Sequence, residues 1–198
     1  MAQKAKAVFL DRDGVVNELV YFQEQGVIDS PFIASQFQLC HGIIPAVKKF
    51  QNAGYKVIIA SNQPGIAKGH ITEENFTKIK ETMKKQLKKG GAVLDGEYYC
   101  FHHPDAKITQ YKVDCKCRKP KPGLILQAAK DMNIDVSQSW FIGDNLTDIK
   151  AGKNAGCHTM LIGKMRCELC DLMDNQGVKP DVIKLNITEA SEYILKGD

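Results

Sequence analysis

Short apolar runs that alternate with longer amphipathic stretches predict an α/β fold, a parallel sheet with helices on both of its faces. The strand-like runs are all short and bounded by Gly, Pro, Asp or Asn, the usual punctuation between strand and loop. Composition agrees: 198 residues, 43% apolar and 25% charged, describe a single globular domain over residues 1–198. At that length roughly 70% of the unfolded surface is buried without any need of disulfides.

In chain order, the strands are expected at Ala7 to Leu10, Val57 to Ala60, Glu97 to Cys100, Trp140 to Ile142, Thr159 to Ile162 and, most weakly, Asp181 to Leu185. Between them, amphipathic spacing predicts helices over Ile44 to Asn52, Thr72 to Lys88, Pro122 to Met132, Leu146 to Asn154 and Ile187 to Leu195. The second helix has the clearest ends. Thr72-Glu73-Glu74-Asn75 supplies a cap and early acids, and lysines precede Gly90-Gly91 at its close, as the helix dipole favours. Two stretches break the alternation, Asn17 to Gln38 and Phe101 to Pro122. Connections of that length in a compact domain usually carry function or a metal.

The charge balance, 27 Lys+Arg against 23 Asp+Glu, comes from dispersed lysines without a dense arginine tract. It suits a small anionic substrate, and no nucleic-acid partner is expected. No run of 18 apolar residues exists, so no membrane-spanning helix is expected. The basic start Met1 to Lys6 is followed by an apolar stretch that Asp11-Arg12-Asp13 interrupts after Leu10, too short for a secretory signal. A cytoplasmic, monomeric protein is the resulting expectation. In a reducing compartment, the seven cysteines (40, 100, 115, 117, 157, 167 and 170) read as metal ligands before they read as disulfides.

Ligands of an open parallel sheet bind beyond the carboxyl ends of its strands, so the residues after each strand carry the argument. Asp11-Arg12-Asp13-Gly14 follows the first strand. Two carboxylates at that spacing can hold a hard divalent cation while one of them attacks an electrophile, although an acidic turn would look the same. Ser61-Asn62-Gln63-Pro64-Gly65 ends the second strand and offers hydroxyl, amide and backbone N–H groups to an anion. Arg118-Lys119-Pro120 sets cations just before a helix start, and Gly143-Asp144 with Asp148 places two further acids after another strand. Each segment alone is explained almost as well by a solvated loop; their coincidence at four strand ends is not.

In this order, Asp11-x-Asp13-Gly, Ser61-Asn-Gln, Lys119-Pro and Gly143-Asp144-x-x-x-Asp148 resemble the motifs of the haloacid dehalogenase superfamily over about residues 7 to 162. Within it, Asp11-Arg12-Asp13-Gly14-Val15-Val16-Asn17 and the Cys-x-His…Cys-x-Cys-Arg-Lys-Pro pattern are similar to the heptose 1,7-bisphosphate phosphatase and histidinol-phosphatase group. Pro64 and Lys68 depart from it, standing where the group more often has serine and arginine. The resemblance implies a Rossmann-like parallel sheet with a minimal loop cap and a zinc-binding loop. It implies Asp11 as nucleophile, Asp13 as general acid and then base, and Ser61 and Lys119 as holders of the phosphoryl oxygens. Asp11, the Asp13 main-chain carbonyl and Asp144 would bind Mg²⁺, and Asp148 would orient Lys119. The substrate expected is a small phosphorylated metabolite, foremost the heptose bisphosphate cleaved at its 7-phosphate. Leu19, Val20, Tyr21 and Phe22 would border the sugar, Asn62, Gln63 and Pro64 would contact substrate, and Arg118 would meet the second phosphate or sugar hydroxyls. Histidinol phosphate is the alternative, and a zinc-containing binding module without catalysis is the alternative of a different class.

Cys100, Cys115 and Cys117 with His102 or His103 make a Cys₃His set for a structural zinc across the long loop. The spacing in the related phosphatases favours His102. Cys167-Glu168-Leu169-Cys170 is only half of such a site and reads as incidental, and Cys40 and Cys157 read as packing residues.

Overall fold

The computed structural model describes residues 4–163, 173 and 175–196; Cys167 and Cys170 lie outside them. Strands β1 (Lys6–Leu10), β4 (Tyr55–Asn62), β5 (Gly96–Cys100), β6 (Trp140–Gly143), β7 (His158–Ile162) and β8 (Val182–Lys184) form one sheet. Its order is β5-β4-β1-β6-β7-β8, and every pairing is parallel. Parallel neighbours need crossovers. These are α1 (Ile43–Asn52), α2 (Glu73–Lys89), α3 (Gly123–Asp131) and α4 (Leu146–Ala155), with α5 (Ile187–Lys196) following β8.

Period-two alternation along β1 sets the two helical layers. Val8 and Leu10, with Val57, Ile59 and Ile142, pack on one face against Val47 and Phe50 of α1, Ile79 and Met83 of α2, and Ala190 and Ile194 of α5. Ala7 and Phe9, with Ile58, Ala60 and Phe141, pack on the other against Leu124, Ile125 and Ala128 of α3 and Ala151 and Ala155 of α4. Both faces of the central strands are therefore apolar, which is why they read as continuous runs in the sequence. The caps follow their residues: Thr72 accepts from the Asn75 N–H before α2, and Asn145 accepts from the Thr147 N–H before α4.

The six expected strands and five expected helices are all present with ends shifted by at most two residues. The largest shift is in β4, which runs on through Ser61 and Asn62 because their backbones still pair with Tyr99 and Cys100. The stretch from Asn17 to Gln38, expected as loop, contains an antiparallel hairpin of β2 (Val20–Phe22) and β3 (Val27–Asp29), with Val20 opposite Asp29. Its strands are three residues each, with none of their residues buried, so no alternation announces them; a stack of Phe22 on Phe32, 4.5 Å between centroids, ties the hairpin down. Among the described residues no helix is long and apolar enough to cross a membrane.

β1 is central, and the chain leaves it toward β4 on one side and returns to β6 on the other. That reversal opens a crevice at the carboxyl ends of β1, β4 and β6, where Asp11, Ser61 and Asp144 stand. The sheet under the crevice rests on Phe9, fully buried and stacked on Phe141 at 6.5 Å. Phe9→Ala is expected to cost about 3–5 kcal/mol, visible as a lower urea midpoint at unchanged slope in an equilibrium denaturation curve.

Candidate active site

After β1 the chain makes a tight reversal. The Arg12 carbonyl accepts from the N–H groups of Val16 and Asn17 at 2.8 and 3.0 Å, and the Gly14 N–H returns to the Asn17 carbonyl at 2.8 Å. Gly14 is what allows it: its φ is +81°, and a Cβ there would lie 2.1 Å from Asp144 Oδ2. The loop after β1 thus lies directly against the Asp144 side chain of the loop after β6. At the other close approach, a Cβ on Gly143 would lie 2.3 Å from the Asp148 Cβ.

Lys119 occupies the centre. Its backbone is held by the Asn62 amide, which donates to the Lys119 carbonyl at 3.1 Å and accepts from the Lys119 N–H at 3.0 Å. The buried ammonium reaches Asp11 Oδ1 at 2.8 Å, Asp148 Oδ1 at 2.7 Å and the Ala60 carbonyl at 3.1 Å. Burial would push the ammonium pKa down, but Asp11 and Asp148 outweigh it and hold it above the ordinary lysine value. Asp148 is buried and also accepts from the Asn145 N–H at 3.1 Å, closing the cap of α4. Burial, with Asp11 and Asp148 adding repulsion, pushes the Asp144 carboxyl up to about 7.

Asp13 meets a separate set of donors. Arg12 gives it Nε and Nη2, Asn17 gives Nδ2 at 3.0 Å, and Gln63 gives Nε2 at 2.6 Å. Gln63 also donates to Ser61 Oγ at 3.0 Å. Asn62 and Gln63, expected against a substrate, therefore spend their amides on Lys119, Asp13 and Ser61. Leu19 and Tyr21 are exposed on the hairpin, and Val20 and Phe22 are half-buried there. Arg118 is tied through Nη1 to the His102 carbonyl at 3.1 Å. Arg12 and Asn17 were not singled out from the sequence. Arginine is seldom fully buried, so nothing local marks Arg12 as interior; the Asp-x-Asp frame on both sides of it was the only available signal.

The long loop after β5 folds on itself. Cys100 Sγ lies 3.6 Å from Cys115 Sγ, 3.2 Å from Cys117 Sγ and 3.7 Å from His102 Nδ1, and the four ligand atoms all lie within 4.8 Å of one another. His103 turns its Nδ1 to the Asp105 N–H at 3.0 Å instead. Three thiols and one imidazole nitrogen converging in this way fit a closed tetrahedral site for a soft divalent ion such as zinc. Carboxylate oxygens of Asp11, Asp144 and Asp148 also lie within 4.8 Å of one another, an all-oxygen set that fits a hard cation. Asp148 enters that group in place of the Asp13 side chain, which Arg12 holds away.

A family model described as HAD-hydrolase-like matches residues 116–190. A protein of Yersinia pestis named D-glycero-beta-D-manno-heptose-1,7-bisphosphate 7-phosphatase is 37% identical over 164 residues, 82% of this chain and 82% of its own length. Its Pasteurella multocida namesake is 43% identical over 152 residues, 76% of this chain and 77% of its own. Among solved structures, the D,D-heptose 1,7-bisphosphate phosphatase of B. bronchiseptica complexed with magnesium and phosphate is similar at a TM-score of 0.79 and 26% identity. That match covers 98% of this chain and 99% of the other.

The buried Lys119 also sets a stability test. Lys119→Met leaves Asp11 and Asp148 facing each other without a cation, and removal of one partner of a buried pair costs about 3–5 kcal/mol. Chemical denaturation of Lys119→Met against Lys119→Met/Asp148→Leu is expected to show part of that loss recovered in the double variant.

Proposed function

The chain belongs to the family of D-glycero-β-D-manno-heptose-1,7-bisphosphate 7-phosphatases within the haloacid dehalogenase-like hydrolases, and from that premise we propose that it removes the 7-phosphate of D-glycero-D-manno-heptose 1,7-bisphosphate through an aspartyl-phosphate on Asp11. The class of enzyme is that of its relatives, a phosphoric monoester hydrolase. The observation that carries the reading of the site is the buried Lys119 ammonium bridging Asp11 and Asp148 at the point where the strand order reverses.

Asp11 Oδ1 is already engaged by the Lys119 ammonium and by the Arg12 N–H at 2.8 Å. Oδ2 is then the oxygen left to attack phosphorus. As the Oδ2–P bond forms, the bond from phosphorus to the sugar oxygen breaks, and that oxygen takes a proton from Asp13. In the second half, water attacks the phosphoaspartate, Asp13 takes back a proton, and the P–Oδ2 bond breaks to release phosphate and restore Asp11. Ser61 and Lys119 would meet the equatorial oxygens, with Asp148 keeping Lys119 in place. Asp11, Asp144 and the Asp13 main-chain carbonyl would hold Mg²⁺, which when bound neutralises charge on the phosphoryl group. Phosphoryl transfer asks the protein mainly for positioning and electrostatics, which is what these groups offer.

Cys100, His102, Cys115 and Cys117 would hold a structural zinc that closes the loop carrying Arg118 and Lys119. Arg118 is fastened at both ends to this cluster, by its N–H to Cys115 Sγ at 3.3 Å and by its guanidinium to the His102 carbonyl. There it would contact the second phosphate or a sugar hydroxyl, and Leu19, Val20, Tyr21, Phe22 and Pro64 would border the sugar.

Initial rates with Mg²⁺ on heptose 1,7-bisphosphate (both anomers), fructose 1,6-bisphosphate and histidinol phosphate, with Asp11→Asn as blank, test the reading. A preference of about 100-fold for the heptose ester is expected, equivalent to about 2.7 kcal/mol of transition-state discrimination. A preference for histidinol phosphate, or turnover retained in Asp11→Asn, overturns it. Zinc removal, verified by elemental analysis, is expected to expose the 101–118 loop to limited proteolysis and to lower turnover together. An apoprotein unchanged in both would contradict the structural role given to the metal.

A further inference from the structure

Arg12 is the largest fully buried side chain in the described structure, and the mechanism above gives it nothing to do. Its guanidinium reaches Asp13 Oδ1 through Nε at 3.2 Å and Nη2 at 2.9 Å, and Oδ2 through Nη2 at 3.0 Å. Side-chain exposures are 1% for Arg12 and 14% for Asp13, so the pair is shielded from screening on the arginine side and open only on the aspartate side. Neighbouring residues seldom chelate each other. Here the reversal that hangs Val16 and Asn17 on the Arg12 carbonyl folds the two side chains into contact. The guanidinium carbon stands 5.5 Å from the centroid of the Phe76 ring on α2. That ring is wedged edge-on against Tyr99 and Phe101, at 5.2 and 5.1 Å. Phe101 lies between Cys100 and His102 of the cysteine cluster.

We propose that Arg12 is a positioning residue for Asp13, with Phe76 as its seat: the planar fork, supported by the ring, fixes the plane and rotamer of the carboxylate that serves the leaving group. This rests on the reading of Asp13 as general acid. A lysine could not substitute, since a point-like ammonium lacks the fork that bridges both carboxylate oxygens. Asn17 and Gln63 complete the cradle from the other directions, which leaves Asp13 one open side. The aromatic chain from Phe101 through Phe76 makes the ordering of the cysteine loop and the aim of Asp13 parts of one packed unit.

A residue that only supports the fold would lower activity on all esters alike, whereas one that aims the general acid matters most when the departing oxygen is basic. The test is kcat/KM, which reports the half-reaction that expels the alcohol, for the Mg²⁺-loaded enzyme on phenyl phosphate and 4-nitrophenyl phosphate, which differ chiefly in leaving-group basicity. The variants are Asp13→Asn, Arg12→Gln, Arg12→Lys and Phe76→Leu, each checked for folding by circular dichroism. Asp13→Asn is expected to lose about 10²-fold or more in kcat/KM on phenyl phosphate and about tenfold less on the nitrophenyl ester. Arg12→Gln and Phe76→Leu should reproduce that split in kcat/KM at smaller size, and Arg12→Lys should recover little of it. If Asp13→Asn shows no split, the reading of Asp13 is wrong. If it shows the split and the folded Arg12 variants lose equally on both esters, the proposal fails; should neither Arg12 variant fold, Phe76→Leu decides by the same criterion.

Discussion

The Lys119 ammonium, buried between Asp11 and Asp148, is the interaction on which the site depends. An ammonium taken out of water is costly unless its charge is met and its three N–H groups are all used. Two carboxylates and the Ala60 carbonyl meet that demand, and they come from three places: Asp11 just after β1, Ala60 near the end of β4 and Asp148 in the first turn of α4, which follows β6. Formation of this cluster therefore requires the β1, β4 and β6 ends to be in register, which only the folded sheet provides. Asn62 adds a second lock by gripping the Lys119 backbone at both its N–H and its carbonyl. The same contacts that stabilise the buried charge also aim it at the crevice.

What was legible in the sequence was local chemistry at strand ends. Asp11, Ser61 and Asp144 each stand within two residues of the end of an apolar run, and Lys119 stands just before a helix start, so the pattern of the fold carried them to one place without any knowledge of side-chain direction. Direction is where that reading ran out. Asn62 and Gln63 are polar and next to Ser61, and the backbone turns their amides onto Lys119 and Asp13, partners that spacing alone does not specify. The β2–β3 hairpin escaped notice because three-residue strands have no period to detect. Arg12 did so because its burial is a property of the loop that closes over it, a long-range outcome that composition does not encode.

The cysteine loop shows a similar division. Its ligand types and spacing were visible, and the residues alone left His102 and His103 open; resemblance to the related phosphatases favoured His102. In the structure the two adjacent rings diverge. His102 turns Nδ1 toward the thiols, while His103 caps the turn at Asp105. Only one of two consecutive side chains in an extended segment can face a given side, so the loop's backbone makes the choice. Because Arg118 leans on the His102 carbonyl and Lys119 follows it, an ion that fixes this loop also fixes the entry of the cation into the site.

Charge arithmetic at the centre gives the metal its physical reason. Four carboxylates converge here, Asp11, Asp13, Asp144 and Asp148, against two buried cations, Arg12 and Lys119, each already committed to carboxylates. With all four ionised the site would be two charges negative before a phosphate dianion approaches; burial and its acidic neighbours push the Asp144 carboxyl up to about 7, so that this full charge is resisted. Lys119 alone cannot offset it, since its single charge is already shared between Asp11 and Asp148. A divalent cation held by the oxygens of Asp11 and Asp144 would supply the missing charge, and a hard ion that keeps waters for exchange with phosphate oxygens would suit that position better than a soft one. The Cys₃His cluster offers the opposite chemistry. Hard and soft donors are thereby kept on separate loops, so two different ions can each find one place in the same small domain.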